Sequence, residues 1–407
     1  MTVTDPHPPT VASSPLATFV ILLVLFIVGV GQSFIFTSLP PIGREIGLSE
    51  SSVGIIVAVG AAVYVLASFL WGKWINRLGL RRSIQIGMVT FFLTNMIMGY
   101  VLALGLVGTL SPTRTFYLAI ILRAIFAFGV AGIGPAAQAY FVFSSTPTKR
   151  MSALSNMSVA VTLGMISGPT LAAFLSAVSL VSPFYLSAVL SLLAFLGVWM
   201  ILPRMKPKLS TTKAPKIIWK NHPVMPLLFL SMLIVFNTGG LQQVLLFYIQ
   251  DMMSLTAVEA AQRGGIAMTV MSVFAVTIQL GIVKRVSWPP RALIYTGAAL
   301  HVVAMVTLIS IQNYAGVIIG LAFFGMGTGL LFPAIASKQT LVAQDYEQGA
   351  IAGMNGSAQG IGMAIGSLVC ASIYPMGSTL PLITIGVLAG VVALTYAVIR
   401  TKVSNTY

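Results

Sequence analysis

Few side chains in this sequence can move a proton, ligate a metal or attack a substrate. Seven are acidic (Asp5, Glu45, Glu50, Asp251, Glu259, Asp345 and Glu347), and beside them stand three histidines and one cysteine, Cys370, in 407 residues. No Ser/His/Asp arrangement and no set of metal-ligand spacing can be assembled from these, so the sequence does not predict an enzyme, a metal site or a cofactor. The exceptional group is Arg123, inside the apolar run Leu122-Arg-Ala-Ile-Phe-Ala-Phe-Gly129. A guanidinium within hydrocarbon costs at least ~2.5 kcal/mol, so it must face water, a polar partner or an anionic ligand. The alternative is snorkelling to the nearer interface. None of the acids lies in the interior of an apolar run. A cavity holding Arg123 and no carboxylate is expected to take neutral or anionic molecules and to reject permanent cations. Against this, an acid at the end of a run, Asp251 or Glu259, has reach to the cavity mouth. His301, near the middle of its run, is read as a packed, hydrogen-bonded histidine.

The elements that must position these groups follow from composition. Hydrophobic residues make up 57% of the chain and charged residues 7%, against about 25% charged in soluble domains. Such a chain has lipid as its solvent. Twelve apolar runs are legible at roughly 16–39, 52–74, 83–107, 115–143, 151–178, 181–202, 224–250, 259–283, 291–311, 314–336, 348–373 and 378–399. They are longer than the ~10-residue strand of a membrane barrel and do not alternate. In lipid each backbone group must pair within its own segment, which a helix achieves. The predicted fold class is an all-α membrane protein with twelve transmembrane helices.

Lysine and arginine orient the helices. The formal charge is +15, but the cations sit between apolar runs, so a membrane protein and not a nucleic-acid binder is expected. Eighteen of the 22 cations fall in loops on the side of the N-terminus, three (Arg44, Arg114 and Arg263) in loops on the other side, and Arg123 within a run. This bias predicts both termini in the cytoplasm. The stretch 203–223, with six cations and four prolines, reads as a basic cytoplasmic linker. It separates an N-terminal six-helix bundle, 16–202, from a C-terminal one, 224–400. Residues 1–15 read as a disordered cytoplasmic tail. A shift of 198 residues superposes Phe126 on Phe324, Gly129 on Gly327, Pro135 on Pro333, Gly164 on Gly362, Met165 on Met363 and Gly168 on Gly366. Two pseudo-symmetric bundles that rock about a central site are the expectation.

Two local patterns sharpen this. After the second run stands Gly72-Lys-Trp-Ile-Asn76-Arg77-Leu-Gly79-Leu-Arg81-Arg82. It resembles the signature loop of the major facilitator superfamily, Gly-x3-Asp-Arg-x-Gly-x-Arg-Arg, with Asn76 where the family has Asp. The resemblance implies that Gly72, Asn76, Arg77, Gly79, Arg81 and Arg82 form a conformational latch on the cytoplasmic side. In the fifth run, Gly164-Met-Ile-Ser-Gly168-Pro169-Thr-Leu-Ala172-Ala173 resembles the antiporter signature of the drug:proton exporters in that superfamily, with alanines at the last two glycines. Gly164, Gly168 and Pro169 are therefore expected to act in gating. Arg123 resembles the family's fourth-helix arginine, implicated there in proton transfer, with Phe126 and Ala127 where Gln and Gly are usual.

In this family the first, fourth, seventh and tenth helices line the cavity. Gln32 and Phe36 lie one turn apart, and Phe236, Gly240, Gln243 and Phe247 share one helical face. Amides fix polar groups while aromatics give adaptable apolar contact. The candidate substrate contacts are Gln32, Phe36, Arg123, Gln242, Gln243 and Phe247. The resemblance implies a monomeric exporter in a bacterial inner membrane, driven by the proton gradient. Its small-molecule cargo is expected to be neutral or anionic, such as a carboxylate-type siderophore, with multidrug efflux or lipid translocation as alternatives.

Overall fold

A computed structural model of the chain describes residues 14–145, 147–203, 224–283, 288–342 and 348–404. The expected tail up to residue 13 and the basic linker from 204 to 223 lie outside the described residues. The described residues form thirteen α-helices and no strand: α1 (Pro15–Ile46), α2 (Glu50–Leu78), α3 (Leu80–Leu106), α4 (Pro112–Val130), α5 (Ile133–Ser144), α6 (Pro147–Ser176), α7 (Ser182–Ile201), α8 (Met225–Met253), α9 (Ala257–Ile278), α10 (Pro290–Ser310), α11 (Tyr314–Val342), α12 (Gln348–Ile373) and α13 (Leu380–Ser404). Helices α4 and α5 share one crossing, Pro112–Ser144, which gives twelve spans long and apolar enough for a bilayer.

The one interrupted crossing has a side-chain cause. The indole of Trp71 on α2 donates to the carbonyl of Phe128 at 2.7 Å, taking an acceptor that a continuous helix would pair along its own axis. Gly132 leaves room for that ring: a Cβ there would lie 2.5 Å from it. The sequence reading of one helix over 115–143 is corrected accordingly.

Helix α1 also departs from expectation. It passes Pro40 and Pro41 and ends at Ile46 rather than at 39. Proline removes a donor but its fixed φ is helical. The stop is Gly47, left-handed at φ 89°, whose N–H bonds to the carbonyls of Gly43 and Arg44. Arg44 therefore sits in the last turn of a helix. Arg114 and Arg263, also expected in loops, lie in α4 and α9. Helix α9 opens with a capping box in which Thr256 and Glu259 exchange side-chain-to-backbone bonds, so Glu259 is committed to a helix start.

The internal repeat is a repeat of packing. Where α6 crosses α1, a Cβ on Gly164 would stand 2.1 Å from the carbonyl oxygen of Phe26, and one on Gly168 3.0 Å from that of Val30. Where α12 crosses α8, a Cβ on Gly362 would meet Met232 O at 2.2 Å, and one on Gly366 would meet Phe236 O at 2.3 Å. Small residues four apart bring both helix pairs to backbone contact. The chain is thus two pseudo-symmetric six-span bundles, α1–α7 and α8–α13.

Candidate functional site

The bundles meet at one end. Around Arg44 a single apolar core joins Phe36, Leu39 and Ile42 of α1 to Leu241, Leu245 and Met268 of the other bundle. At the opposite end the core divides. One cluster there is built around Trp71, Phe91 and Tyr140, another around Leu230, Ile294 and Leu331.

Two seams close the Arg44 end, and they are copies of each other. On α2, a Cβ at Gly54 would lie 2.5 Å from Ala371 Cβ and 3.1 Å from Ser367 O of α12. On α9, a Cβ at Gly265 would lie 2.8 Å from Ala173 Cβ and 2.5 Å from Pro169 O of α6. Pro169 and Ala173 carry the same 198-residue offset to Ser367 and Ala371 as the rest of the repeat. The Thr170 and Thr269 hydroxyls, 2.7 Å apart, hydrogen-bond across the second seam. Further along the first helix pair, towards the other end, Gly72, Gly353 and Gly356 have no such neighbour within 4 Å.

An ion cluster caps the closed end. The Arg44 guanidinium donates to both carboxylate oxygens of Asp251 on α8, to Oδ2 at 2.8 Å, and to Glu50 of α2 at 2.7 and 3.0 Å. Tyr374 donates its hydroxyl to Asp251 Oδ2 at 2.6 Å. The guanidinium carbon lies 4.7 Å from the centre of the Phe247 ring and 5.7 Å from that of Tyr374. Asp251 thus joins the bundles at the closed end, and it does not line the cavity described below. Phe247 is fully buried beneath the ion pair. The shared face of Phe236, Gly240 and Phe247 turns toward α12 and the short turn after it: Gly240 meets Cys370 of α12, and Phe247 lies 5.8 Å from the ring of Tyr374, just beyond that helix.

Directly under the seam lies a cavity between the bundles, with about 370 Å³ of empty space counting its mouth. Helix α1 contributes Ser33 and Phe36, α6 Met165 and Pro169, α8 Gln242, and α9 Met268, Met271 and Ser272. Of the six expected contacts, Phe36 and Gln242 meet here. Gln243 is wholly buried, and neither end of its amide has a partner among the described residues.

Arg123 and Gln32 pair elsewhere. Arg123 donates to Gln32 Oε1 at 3.0 Å and lies over the Phe126 ring, 4.8 Å from its centre. It lines a separate pocket inside the first bundle, with Thr94 and Asn95, and its Nε has no acceptor among the described residues. A Cβ on Gly60 would stand 2.6 Å from that nitrogen, so the glycine makes room for the guanidinium. Among the described residues the charge has no carboxylate partner. His301 is buried as expected: its ring stacks on Phe324 at 4.0 Å and Nε2 bonds to Thr328 at 3.1 Å.

In the signature loop, Gly79 has φ 84°, which only glycine adopts without strain, and it alone links α2 to α3. Arg81 donates to the Trp199 carbonyl of α7. Asn76 Oδ1 is buried without a hydrogen-bond partner among the described residues. Among those residues the loop makes no hydrogen bond to the second bundle.

The sequence reading passed over Gly54, Gly265 and Tyr374, and did not join Arg44 to Asp251. The two glycines occupy the fifth position of α2 and the ninth of α9, so their spacing is 211 and not 198. A repeat search that allowed each helix its own offset would have found them.

Two membrane bundles locked at one end over a small cavity form a transporter. The family model "Major Facilitator Superfamily" matches residues 21–367, and the chain belongs to that superfamily. It is similar to Multidrug resistance protein 1 of Bacillus subtilis, 26% identical over 89% of this chain and 91% of that protein. It is also similar to the quinolone resistance protein NorA of Staphylococcus aureus, 24% identical over 92% of this chain and 94% of that protein. In fold it matches a bacterial homolog of the human lysosomal transporter Spinster in an inward-facing, occupied conformation. That match has TM-score 0.73 and 14% identity, over 96% of this chain and 98% of that one. The inward-open xylose transporter XylE of E. coli matches with TM-score 0.70 and 17% identity, over 93% and 94%.

Proposed function

We propose that this transporter exports small amphipathic molecules by alternating access, with the proton gradient as the driving force. The carrying observation is the cavity under the closed Arg44 end. Three methionines, a phenylalanine and a proline line it with two serines and one glutamine, and among the described residues no charged side chain lines it. Thioethers and an aromatic ring adapt to many apolar shapes. The relatives named for multidrug and quinolone resistance support efflux over uptake, as does the Gly164 to Pro169 segment at the seam. Phe36 and Gln242 touch the cargo. Gln32, Arg123, Gln243 and Phe247 act from within the bundles. The anionic class of cargo loses its footing, because Arg123 lines a pocket outside this cavity, and nothing favours a siderophore in particular.

With both termini cytoplasmic, the Arg44 end is external and the state described opens inward, in a monomer in a bacterial inner membrane. A tag at Lys213 then reacts only from the cytoplasmic side; labelling in intact cells would invert the map. Efflux itself is tested in proteoliposomes. An imposed proton gradient should drive accumulation of an amphipathic dye, and a protonophore should abolish it. Accumulation indifferent to the protonophore would remove proton coupling.

A further inference from the structure

The polar groups of the cavity differ in what they have left to offer. Ser33 donates its hydroxyl to Val30 O at 2.8 Å, and Ser272 donates to Met268 O at 3.0 Å. Each hydroxyl hydrogen is spent on its own helix. Ser33 Oγ is also turned to the wall, since a Cβ on Gly168 of α6 would fall 1.6 Å from it. The Met268 sulfur takes the Thr37 hydroxyl at 3.7 Å. Gln242 stands apart. Its Oε1 is sealed inside the protein with no partner among the described residues, and the half-buried side chain meets the cavity through its N–H₂ end. Turning the amide over would bury two unpaired N–H donors in place of one acceptor, the larger loss. Among the described lining residues, the Gln242 amide is the side-chain donor without an acceptor.

Resting on the export reading above, we infer that this amide anchors the cargo, and that the cavity selects neutral amphipaths whose polar end accepts a hydrogen bond. Ketones, esters, tertiary amides and aromatic nitrogen heterocycles are its chemical class. The acceptor takes the Gln242 N–H₂, and the apolar body rests on Phe36 and the methionine side chains. Such an acceptor exchanges water for the amide, a gain of about two- to tenfold in affinity. A carboxylate also accepts, but one neutral amide does not replace the hydration of a full charge. Among the described residues no cation lines the cavity to make up the difference. An ammonium ion meets no carboxylate there, and its own donors face the donor of Gln242. Charge of either sign is thus selected against for want of a counter-charge, while Gln242 chooses among neutral molecules. It is the specificity-determining residue.

Three compounds on one aromatic body test this: a methyl ketone, the hydrocarbon with a methylene in place of the carbonyl, and the carboxylate of equal length. Binding is measured by calorimetry on the full chain in nanodiscs, and flux in proteoliposomes under a proton gradient. The hydrocarbon has more apolar surface, so the reading is the change on mutation and not the raw affinity. Gln242→Met, apolar and of similar volume, should weaken the ketone about two- to tenfold and leave the hydrocarbon within about twofold. Gln242→Glu keeps the shape but removes the donor, and should weaken the ketone likewise. On the unmutated protein the carboxylate should bind at least about tenfold more weakly than the ketone. There too, the carbonyl stretch of the bound, isotope-labelled ketone should fall below its position in alkane, read by infrared difference against empty nanodiscs. That band decides the matter even where a variant fails to fold. An unshifted band, a ketone affinity unchanged by either variant, or a carboxylate that binds best overturns the inference. If the ketone depends on Gln242 but no gradient-driven flux occurs, the export reading falls and the anchor stands. If the ketone is carried with no dependence on Gln242, export stands and the anchor falls. If none of the three binds, both fall.

Discussion

Adding one methyl group at Gly265 should open the Arg44 end. The Cβ of an alanine there would lie 2.5 Å from the Pro169 carbonyl oxygen, roughly 0.8 Å inside the closest ordinary C···O approach of about 3.3 Å. The obstacle is backbone of the opposite bundle, so no side chain can swing aside. Overpacking of this kind costs about 1–3 kcal/mol. The helix-propensity gain of alanine over glycine applies to both conformations and cancels. The cost falls on the closed state alone, so the closed-to-open ratio at this end should drop about 5–150-fold. Gly54→Ala should act in the same direction, since its Cβ would meet Ala371 Cβ at 2.5 Å. There the obstacle is a side chain, so Ala371→Gly should rescue Gly54→Ala. Ala173→Gly should rescue Gly265→Ala less well, because the Pro169 carbonyl remains. The assay is pulsed electron spin resonance between labels at Thr109 and Gln312, exposed residues of opposite bundles at this end, with Cys370 replaced by alanine. The distance distribution should move to longer values in each single variant. If the Gly265→Ala distribution superimposes on the parent's in a protein of unchanged melting temperature, the seam does not close the transporter.

Asp251→Asn and Arg44→Gln should loosen the same end by a few-fold each, and the double variant should be no looser than the worse single, since both remove one interaction. The effect is small because the Asp251 side chain is 44% exposed and water screens the pair. The same spin-label pair reads it, and additive shifts would show the two residues to be independent. Arg123→Leu should raise the melting temperature while lowering flux at least tenfold, because it removes a buried cation that has no carboxylate partner among the described residues. Arg123→Lys should recover only part of the flux, since an ammonium lacks the fork that reaches Gln32 and the plane that lies over Phe126; normal transport by Arg123→Leu would make the charge dispensable. Arg77→Ala should slow turnover in proteoliposomes and leave the binding constant of the cargo within about twofold, because the loop lies at the opposite end from the cavity. An altered binding constant with unchanged turnover would refute a gating role.

What the sequence determined by itself was set by the solvent. Lipid satisfies no backbone group, so each long apolar run had to be a helix, and the twelve spans were countable from composition. The repeat was legible because its glycines allow backbone contact, a need that leaves no substitute at Gly164, Gly168, Gly362 and Gly366. The sequence could not say which way most side chains face. A helix in lipid is apolar all round, so no polar stripe marks its outer surface. Phe236, Gly240 and Phe247 were correctly placed on one face, but only packing against α12 showed that this face turns away from the cavity. Arg123 was correctly expected to need a polar partner. That the partner is Gln32, inside one bundle, depends on Gly60 leaving space for the guanidinium. Arg44 and Asp251 lie 207 residues apart, and no local pattern joins them. Their pairing exists because two seams, each needing a glycine on one helix and an alanine on the other, bring the two bundles together at that end.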